Sequence, residues 1–197
     1  INHISDLLDS GKSLKSILEG ILVCAAQLVA DADASTWEAP VKAFNYTDCA
    51  HYFVHMSKDP RTIYAPFMSA LAVNKVARKF EPVKRDKFSA KVCRPSSDSL
   101  GVFKNAVIHF DTETAVASVK SILPFKNKLP ELYRTILLTA SMNDAVVCHG
   151  RDMQYCYHTL NAYEMTSSPR KDKLMLALAR FLGYINKNYV LYREVWG

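Results

Sequence analysis

The chain has 197 residues, 49% of them hydrophobic, and a formal net charge of +6. This length favours one domain, and the apolar content is sufficient for a buried core, which excludes a disordered or low-complexity chain. The longest apolar run, residues 20–30, is too short to span a bilayer, so no membrane partner is predicted. Five cysteines at irregular spacing favour reduced thiols and a cytosolic setting.

The first eighty residues show helical periodicity in several segments. Residues 13–30 give the clearest pattern, because Leu14, Ile17, Leu18 and Leu22 repeat at helical spacing on one face. The complete prediction for this part is a turn or short helix over residues 4–10, followed by helices over 13–30, 37–44, 47–56 and 66–80.

Residues 81–99 have no helical period and contain two prolines, so a loop is predicted there. Within it, residues 87–93 alternate between polar and apolar well enough for a short strand. Residues 102–110 fit either a helix or a strand. The remaining predictions are helices over 111–123, 129–147 and 152–164, with a basic turn over 124–130.

The last predicted helix begins near Ser168 or Asp172 and carries a well-defined apolar face. Another side of it bears Lys173, Arg180 and Lys187, one every seven residues. Such a line of cations is either a solvated face or a track for a polyanion.

These elements predict a mainly α fold, a helical-bundle core with room for a small β-hairpin in the middle. One α-helical domain over residues 1–197 is the first interpretation. The alternative is two lobes, residues 1–80 and 96–197, joined by the basic loop 81–95.

Charge is distributed unevenly along the chain. Residues 1–70 hold five Lys/Arg and eight Asp/Glu, whereas residues 71–197 hold twenty and eleven. A dense group of cations lies within residues 75–94 and includes Lys84, Arg85 and Lys87. Clustering of this kind indicates a phosphate-rich partner, although basic surface segments without a ligand are also common.

No catalytic motif is apparent, and no enzymatic activity or cofactor is predicted. Gly11-Lys12-Ser13 resembles the end of a phosphate-binding loop, but Asp6 stands where that motif needs glycine. Cysteines and histidines form two groups, which are Cys49, His51 and His55, and Cys148, His149, Cys156 and His158. Neither group has zinc-knuckle spacing, so buried thiols and scattered histidines are the preferred interpretation and no metal is predicted.

Three short stretches resemble the coat proteins of flexible filamentous plant RNA viruses, the potyvirus-like family. In chain order they are Ser96-Ser97-Asp98 with Gly101-Val102-Phe103, then Leu132-Tyr133-Arg134-Thr135-Ile136-Leu137, and finally Tyr163-Glu164-Met165-Thr166-Ser167. The resemblance covers mainly residues 96–182. It implies a helical core that polymerises around single-stranded RNA, located in the virion and in the host cytoplasm.

The resemblance also implies which residues bind RNA. The family's pocket would correspond to Ser97, Arg134 and Asn161, and Asn161 departs from the pattern because the family has an acid there. Beside this implied pocket, the cations Lys84, Arg85, Lys87, Lys126 and Lys128 are predicted to supply the field that attracts phosphate.

A coat protein must bind every RNA segment alike, so it needs phosphate contacts rather than base readout, and it needs surfaces for its neighbours. The leading hypothesis is therefore a viral coat protein or nucleoprotein that binds single-stranded RNA without sequence specificity and self-assembles into filaments. Two alternatives stay open: a helical protein-interaction module with a basic face, and a non-filamentous RNA-binding host-interference protein.

Overall fold

The computed structural model describes residues 2–79, 98–142 and 150–185, and these ranges are mainly helical. They contain nine α-helices and two 3₁₀ turns, Pro60–Ile63 and Lys126–Lys128. The α-helices are α1 Asn2–Asp9, α2 Leu14–Asp31, α3 Glu38–Met56, α4 Tyr64–Lys79, α5 Ser99–Ile108, α6 Thr112–Ile122, α7 Leu129–Ser141, α8 Arg151–Met165 and α9 Asp172–Tyr184. Within the described ranges no helix is long and apolar enough to cross a membrane.

Local side-chain chemistry explains where several helices begin. Ser13, Asp98 and Asp111 each precede a helix and accept a hydrogen bond from a backbone N–H in its first turn. Such a bond satisfies one of the amides that the helix itself leaves without a partner. These caps divide the chain into short helices that can fold back on one another.

Helix α9 lies at the centre of the core. Its side chains pack against α2, α5, α6 and α8, and residues on nearly every side of it are buried. Phe181 is fully buried and contacts Trp37 and Tyr155 edge-on, with ring centres 5.6 and 4.8 Å apart. The helix therefore joins α2, from the first half of the chain, to α5 and α6 from the second.

The burial of α9 bears on its predicted line of cations. Lys173 is exposed, but Arg180 is partly buried and Lys187 lies outside the described residues. Among the described residues, one of these three cations is therefore exposed. The apolar face predicted for this helix is present, and it is wider than the sequence pattern indicated because Ala177, Ala179 and Gly183 are buried as well.

Two predicted helices, over residues 37–44 and 47–56, are in fact one continuous helix, α3. The prediction placed a cap at Thr47 or Asp48, because both residues commonly begin helices. Instead, the Thr47 hydroxyl donates to the carbonyl oxygen of Ala43 at 2.8 Å, one turn earlier in the same helix. Asp48 is buried and contacts α8, so tertiary contacts replace the cap.

The β content of the prediction finds no support. Most of the run over 102–110 is helical, since α5 extends to Ile108, and the described residues contain no strand. The short strand predicted over residues 87–93 lies outside the described residues. Helices predicted over 13–30, 66–80, 111–123 and 152–164 are confirmed within two residues of their ends, and the described part of 129–147 is helical through Ser141.

Candidate nucleic-acid interface

The contact between α7 and α8 positions the arginine that the sequence singled out. Leu132 and Ile136 of α7 are buried, which turns the intervening residues towards the surface. The hydroxyl of Tyr133 donates to Oε1 of Glu164 near the end of α8. Burial, together with this carboxylate, raises the pKa of Tyr133, so the phenol stays protonated and keeps its donor role.

Arg134 is exposed beside this contact, and it forms no ion pair with any described residue. Asn161 is partly buried on α8, one turn before Glu164. Along α8, Glu164 is the acidic residue nearest to Asn161. Its carboxylate accepts a hydrogen bond from Tyr133. The guanidinium of Arg134 is available to solvent.

A second set of contacts fastens the loop between α8 and α9. The hydroxyl of Tyr163 donates to Oδ1 of Asp172 at 3.2 Å, and the Lys171 ammonium lies 4.5 Å from the centre of the Tyr163 ring. Burial first, and then Asp172, raises the pKa of Tyr163 to about 12. Arg170, which lies in this loop between α8 and α9, is exposed.

The turn before α7 holds two more predicted cations. Lys126 is exposed, and the ammonium of Lys128 lies 5.5 Å from the centre of the exposed Phe125 ring. Arg134 follows Lys128 by six residues, a rise of about 9 Å along a helix. Three of the predicted cations therefore lie within the turn and the first half of α7.

The other predicted RNA-binding residues, Ser97, Lys84, Arg85 and Lys87, lie outside the described residues. Helix α5, which follows Ser97 in the chain, packs against α7. Asp98 caps α5 by accepting from the N–H of Gly101 at 3.0 Å. Of the predicted RNA-binding residues, the described ranges therefore contain Arg134 on α7, Asn161 on the neighbouring helix α8, and Lys126 and Lys128 in the turn between α6 and α7.

Sequence reasoning missed a buried polar cluster that joins α2, α3 and α8. Nδ1 of His158 lies 2.7 Å from Oδ2 of Asp48, and Nε2 of His51 lies 3.9 Å from Oε1 of Glu19. Glu19 also accepts from the N–H of Ser167 at 3.1 Å. The sequence grouped these histidines with cysteines, whereas the structure places each one beside a carboxylate.

His51 is fully buried, and neither of its ring nitrogens has a hydrogen-bond partner among the described residues. Desolvation lowers the pKa of His51, outweighing the opposite effects of Glu19 and Asp48. The ring is therefore neutral at pH 7, and its approach to Glu19 is not an ion pair. One feature of the sequence could have predicted this cluster. Polar residues such as Glu19, between Leu18 and Leu22, lie on helix faces that are otherwise apolar.

The buried polar cluster and the exposed cations on and before α7 can support different chemistry. Asp48 and His158 have the geometry of a carboxylate that orients a histidine, yet no described hydroxyl or thiol hydrogen-bonds to His158. In the described part of the chain, no three His, Cys, Asp or Glu side chains are grouped to hold a metal ion. Helix α7 and the turn before it instead offer the exposed cations Arg134 and Lys126, groups that can bind anions.

Comparisons with known proteins give no relative for this chain. No family model, no curated protein and no solved structure matches it.

Proposed function

We propose that this chain is a structural RNA-coating protein, a viral coat protein or nucleoprotein without enzymatic activity. It binds single-stranded RNA without sequence specificity and self-assembles into helical filaments. It would then be found in the virion and in the host cytoplasm. The proposal is supported by the short stretches that resemble filamentous coat proteins and by the position of Arg134.

Arg134 is the observation that carries the proposal. An exposed guanidinium with no carboxylate partner among the described residues is a binding group for phosphate, which it can grip with two parallel hydrogen bonds. The bond from Tyr133 to Glu164 fixes the part of α7 that bears it. Asn161, on the neighbouring helix, adds an amide donor that can hydrogen-bond a phosphate or ribose oxygen.

The surrounding cations suit a partner whose charge is continuous. Lys126, Lys128 and Arg170 would contact successive phosphates, and Ser97, Lys84, Arg85 and Lys87 join them in this proposal. None of these groups is positioned to distinguish one base from another, since phosphate contacts carry no sequence information. Affinity should therefore depend strongly on salt and weakly on sequence.

The test is fluorescence anisotropy of a labelled oligouridine at increasing salt, with wild type, Arg134→Ala and Lys42→Ala. Lys42 is an exposed control one turn after Glu38, whose carboxylate binds Arg151 at the start of α8. Glu164 lies about 20 Å further along α8, so Lys42 is remote from Arg134.

We expect Arg134→Ala to weaken binding about fivefold or more and to reduce the salt slope by about 0.7, the value of one phosphate contact on a single strand. Lys42→Ala should leave both unchanged. Equal effects of the two variants would remove Arg134 from the interface, and the absence of any RNA binding by wild type would refute the proposal.

A second candidate, a protein-interaction module, is favoured by one observation. Large apolar side chains are exposed together on α3 and α4, and such surfaces mark contacts between proteins. An interaction module would bind a partner through this surface with no affinity for RNA. A host-interference protein, by contrast, would bind RNA and stay monomeric on it.

A further inference from the structure

An apolar surface is exposed where α3 ends and α4 begins, and we call it the α3–α4 surface. It consists of Phe53, Met56, Ile63, Tyr64, Met68 and Leu71, each at least 45% exposed. Tyr64, Met68 and Leu71 follow one another at i, i+4 and i+7, so they share a face of α4. Helices α3 and α4 pack against each other and are joined by the turn Pro60–Ile63, so the end of α3 and the start of α4 lie at the same end of this helix pair.

The charges around the α3–α4 surface are almost all positive. Lys75 and Arg78 continue the same face of α4 beyond Leu71, and both are exposed. The carboxylate of Asp59 is bound to Arg61 at 2.5 Å, so it does not offset those cations. A partner for this surface must therefore present apolar side chains bordered by carboxylates.

One region of the same chain has that character, and we call it the α5–α6 corner. Val102 and Phe110 are exposed there, at 37% and 48%. The exposed carboxylates Asp98 and Glu113 lie at the start of α5 and in the first turn of α6. Lys104 is the one cation among residues 98–113.

Phe110 has a further unusual property, which is a backbone φ of 59°. It is the one residue other than glycine with a positive φ in the described ranges. A bulky side chain in this conformation is strained, and strain of this kind concentrates at functional positions. The exposed ring is therefore held at the corner at an energetic cost.

We infer that the α3–α4 surface of one copy docks onto the α5–α6 corner of a second copy. This inference rests on the proposed self-assembly and adds the two surfaces that make the contact. The apolar groups would be buried against each other, while Lys75 and Arg78 face the carboxylates of the corner. Because the two surfaces are different, the contact is head-to-tail and continues from copy to copy unless the rotation closes a ring.

The experiment uses two surface variants, Met68→Glu on the α3–α4 surface and Phe110→Asn on the α5–α6 corner. Asparagine tolerates a positive φ, and both positions are exposed, so both variants should fold, as circular dichroism would verify. Sedimentation velocity should show that wild type forms long assemblies while each variant alone stays monomeric. An equimolar mixture should form dimers and nothing longer, because only one productive pair of surfaces remains.

Charge reversal gives an independent measurement on the same contact. Lys75→Glu and Glu113→Lys should each raise the protein concentration needed for assembly about tenfold. The two changes together in one chain should restore the wild-type concentration. Assembly that survives both Met68→Glu and Phe110→Asn, or a wild type that never assembles with or without RNA, would overturn the inference.

RNA binding is measured separately from assembly, so the two proposals can fail independently. Met68→Glu should keep the affinity of wild type for an oligouridine that holds one copy. Assembly through these surfaces without any RNA binding would support the interface and refute the RNA-coating proposal.

Discussion

Asp48 and His158 join α3 to α8 through a contact between side chains 110 residues apart, with Oδ2 of the carboxylate 2.7 Å from Nδ1 of the ring. Asp48 is almost fully buried, and the His158 side chain is 22% exposed. The pair therefore fixes α8, which carries Asn161 and Glu164, relative to α3. Loss of this contact should disturb the proposed RNA-binding residues indirectly, through the position of α8.

The Asp48–His158 contact should appear as a coupling energy between the two side chains in a double-mutant cycle on the free energy of unfolding. Asp48→Ala should lower the free energy of unfolding by about 2–4 kcal/mol, because it removes a buried hydrogen-bonded group from the core. His158→Ala should cost less, since this side chain is partly exposed. The double variant should depart from additivity by about 1 kcal/mol or more in urea unfolding. Strict additivity would show that the two side chains do not stabilise the fold together.

His51 should make the protein sensitive to acid. Its pKa is lowered in the folded chain by desolvation, so the unfolded chain binds a proton more readily as the pH falls below about 6.5. The stability due to the neutral buried ring is present above that pH and is lost below it. The urea midpoint should therefore fall between pH 7.5 and pH 5.5.

The matched variants for this acid effect are His51→Leu and His158→Gln. His51→Leu cannot titrate and should show a smaller fall in the urea midpoint, whereas His158→Gln should retain the part due to His51. The groups that face His51 are Glu19 and Lys15 from α2 and Asp48 and His55 from α3. An unchanged fall in His51→Leu would show that His51 is not the source of the acid sensitivity.

Two glycines should respond in opposite ways to alanine. At Gly183, in α9, an added Cβ would lie 2.8 Å from Cα of Thr112, so α6 and α9 would have to separate. We expect Gly183→Ala to destabilise the fold by about 1–3 kcal/mol. Gly20 is exposed in the middle of α2, with nothing within 4 Å of an added Cβ, and Gly20→Ala should stabilise by about 0.5–1 kcal/mol.

Thermal unfolding followed by circular dichroism measures both glycine variants. The close approach of α6 and α9 would be contradicted if Gly183→Ala were as stable as wild type. Gly20→Ala is the control, because it shows the effect of replacing a helical glycine by alanine where no steric contact is added.

Glu164 should oppose RNA binding through its charge. Glu164→Gln keeps an acceptor for the Tyr133 hydroxyl and removes a negative charge from the end of α8 beside α7. Oligouridine affinity should rise about twofold at low salt, and the gain should shrink as salt screens the charge. Asp31→Asn, in α2, is the control and should have no effect. A loss of affinity in Glu164→Gln would mean that this carboxylate holds Arg134 in place rather than repelling RNA.

Periodicity predicted most of the helices, because apolar residues at helical spacing must face a core. It failed at α3, where Thr47 and Asp48 have the chemistry of a cap but serve contacts inside a longer helix. It also underestimated α9, since alanine and glycine give weak signals in an apolar pattern although they permit close packing on several sides.

The candidate site was predicted less completely than the fold. Arg134 was identified by resemblance, yet the bond from Tyr133 to Glu164 joins residues 31 positions apart and has no local signature. The position of Arg170 in the loop between α8 and α9 depends on how these two helices pack, which no spacing in the sequence encodes. The pairing of His51 and His158 with carboxylates from other helices was hidden for the same reason.

The most direct test of the RNA-coating proposal is negative-stain electron microscopy of the purified chain, with and without single-stranded RNA, at low and high salt. The proposal predicts filaments or nuclease-protected rods with RNA at low salt, and their loss at high salt as phosphate contacts weaken. Monodisperse particles that neither bind RNA nor change with salt would contradict it, and attention would then turn to a protein partner for the α3–α4 surface.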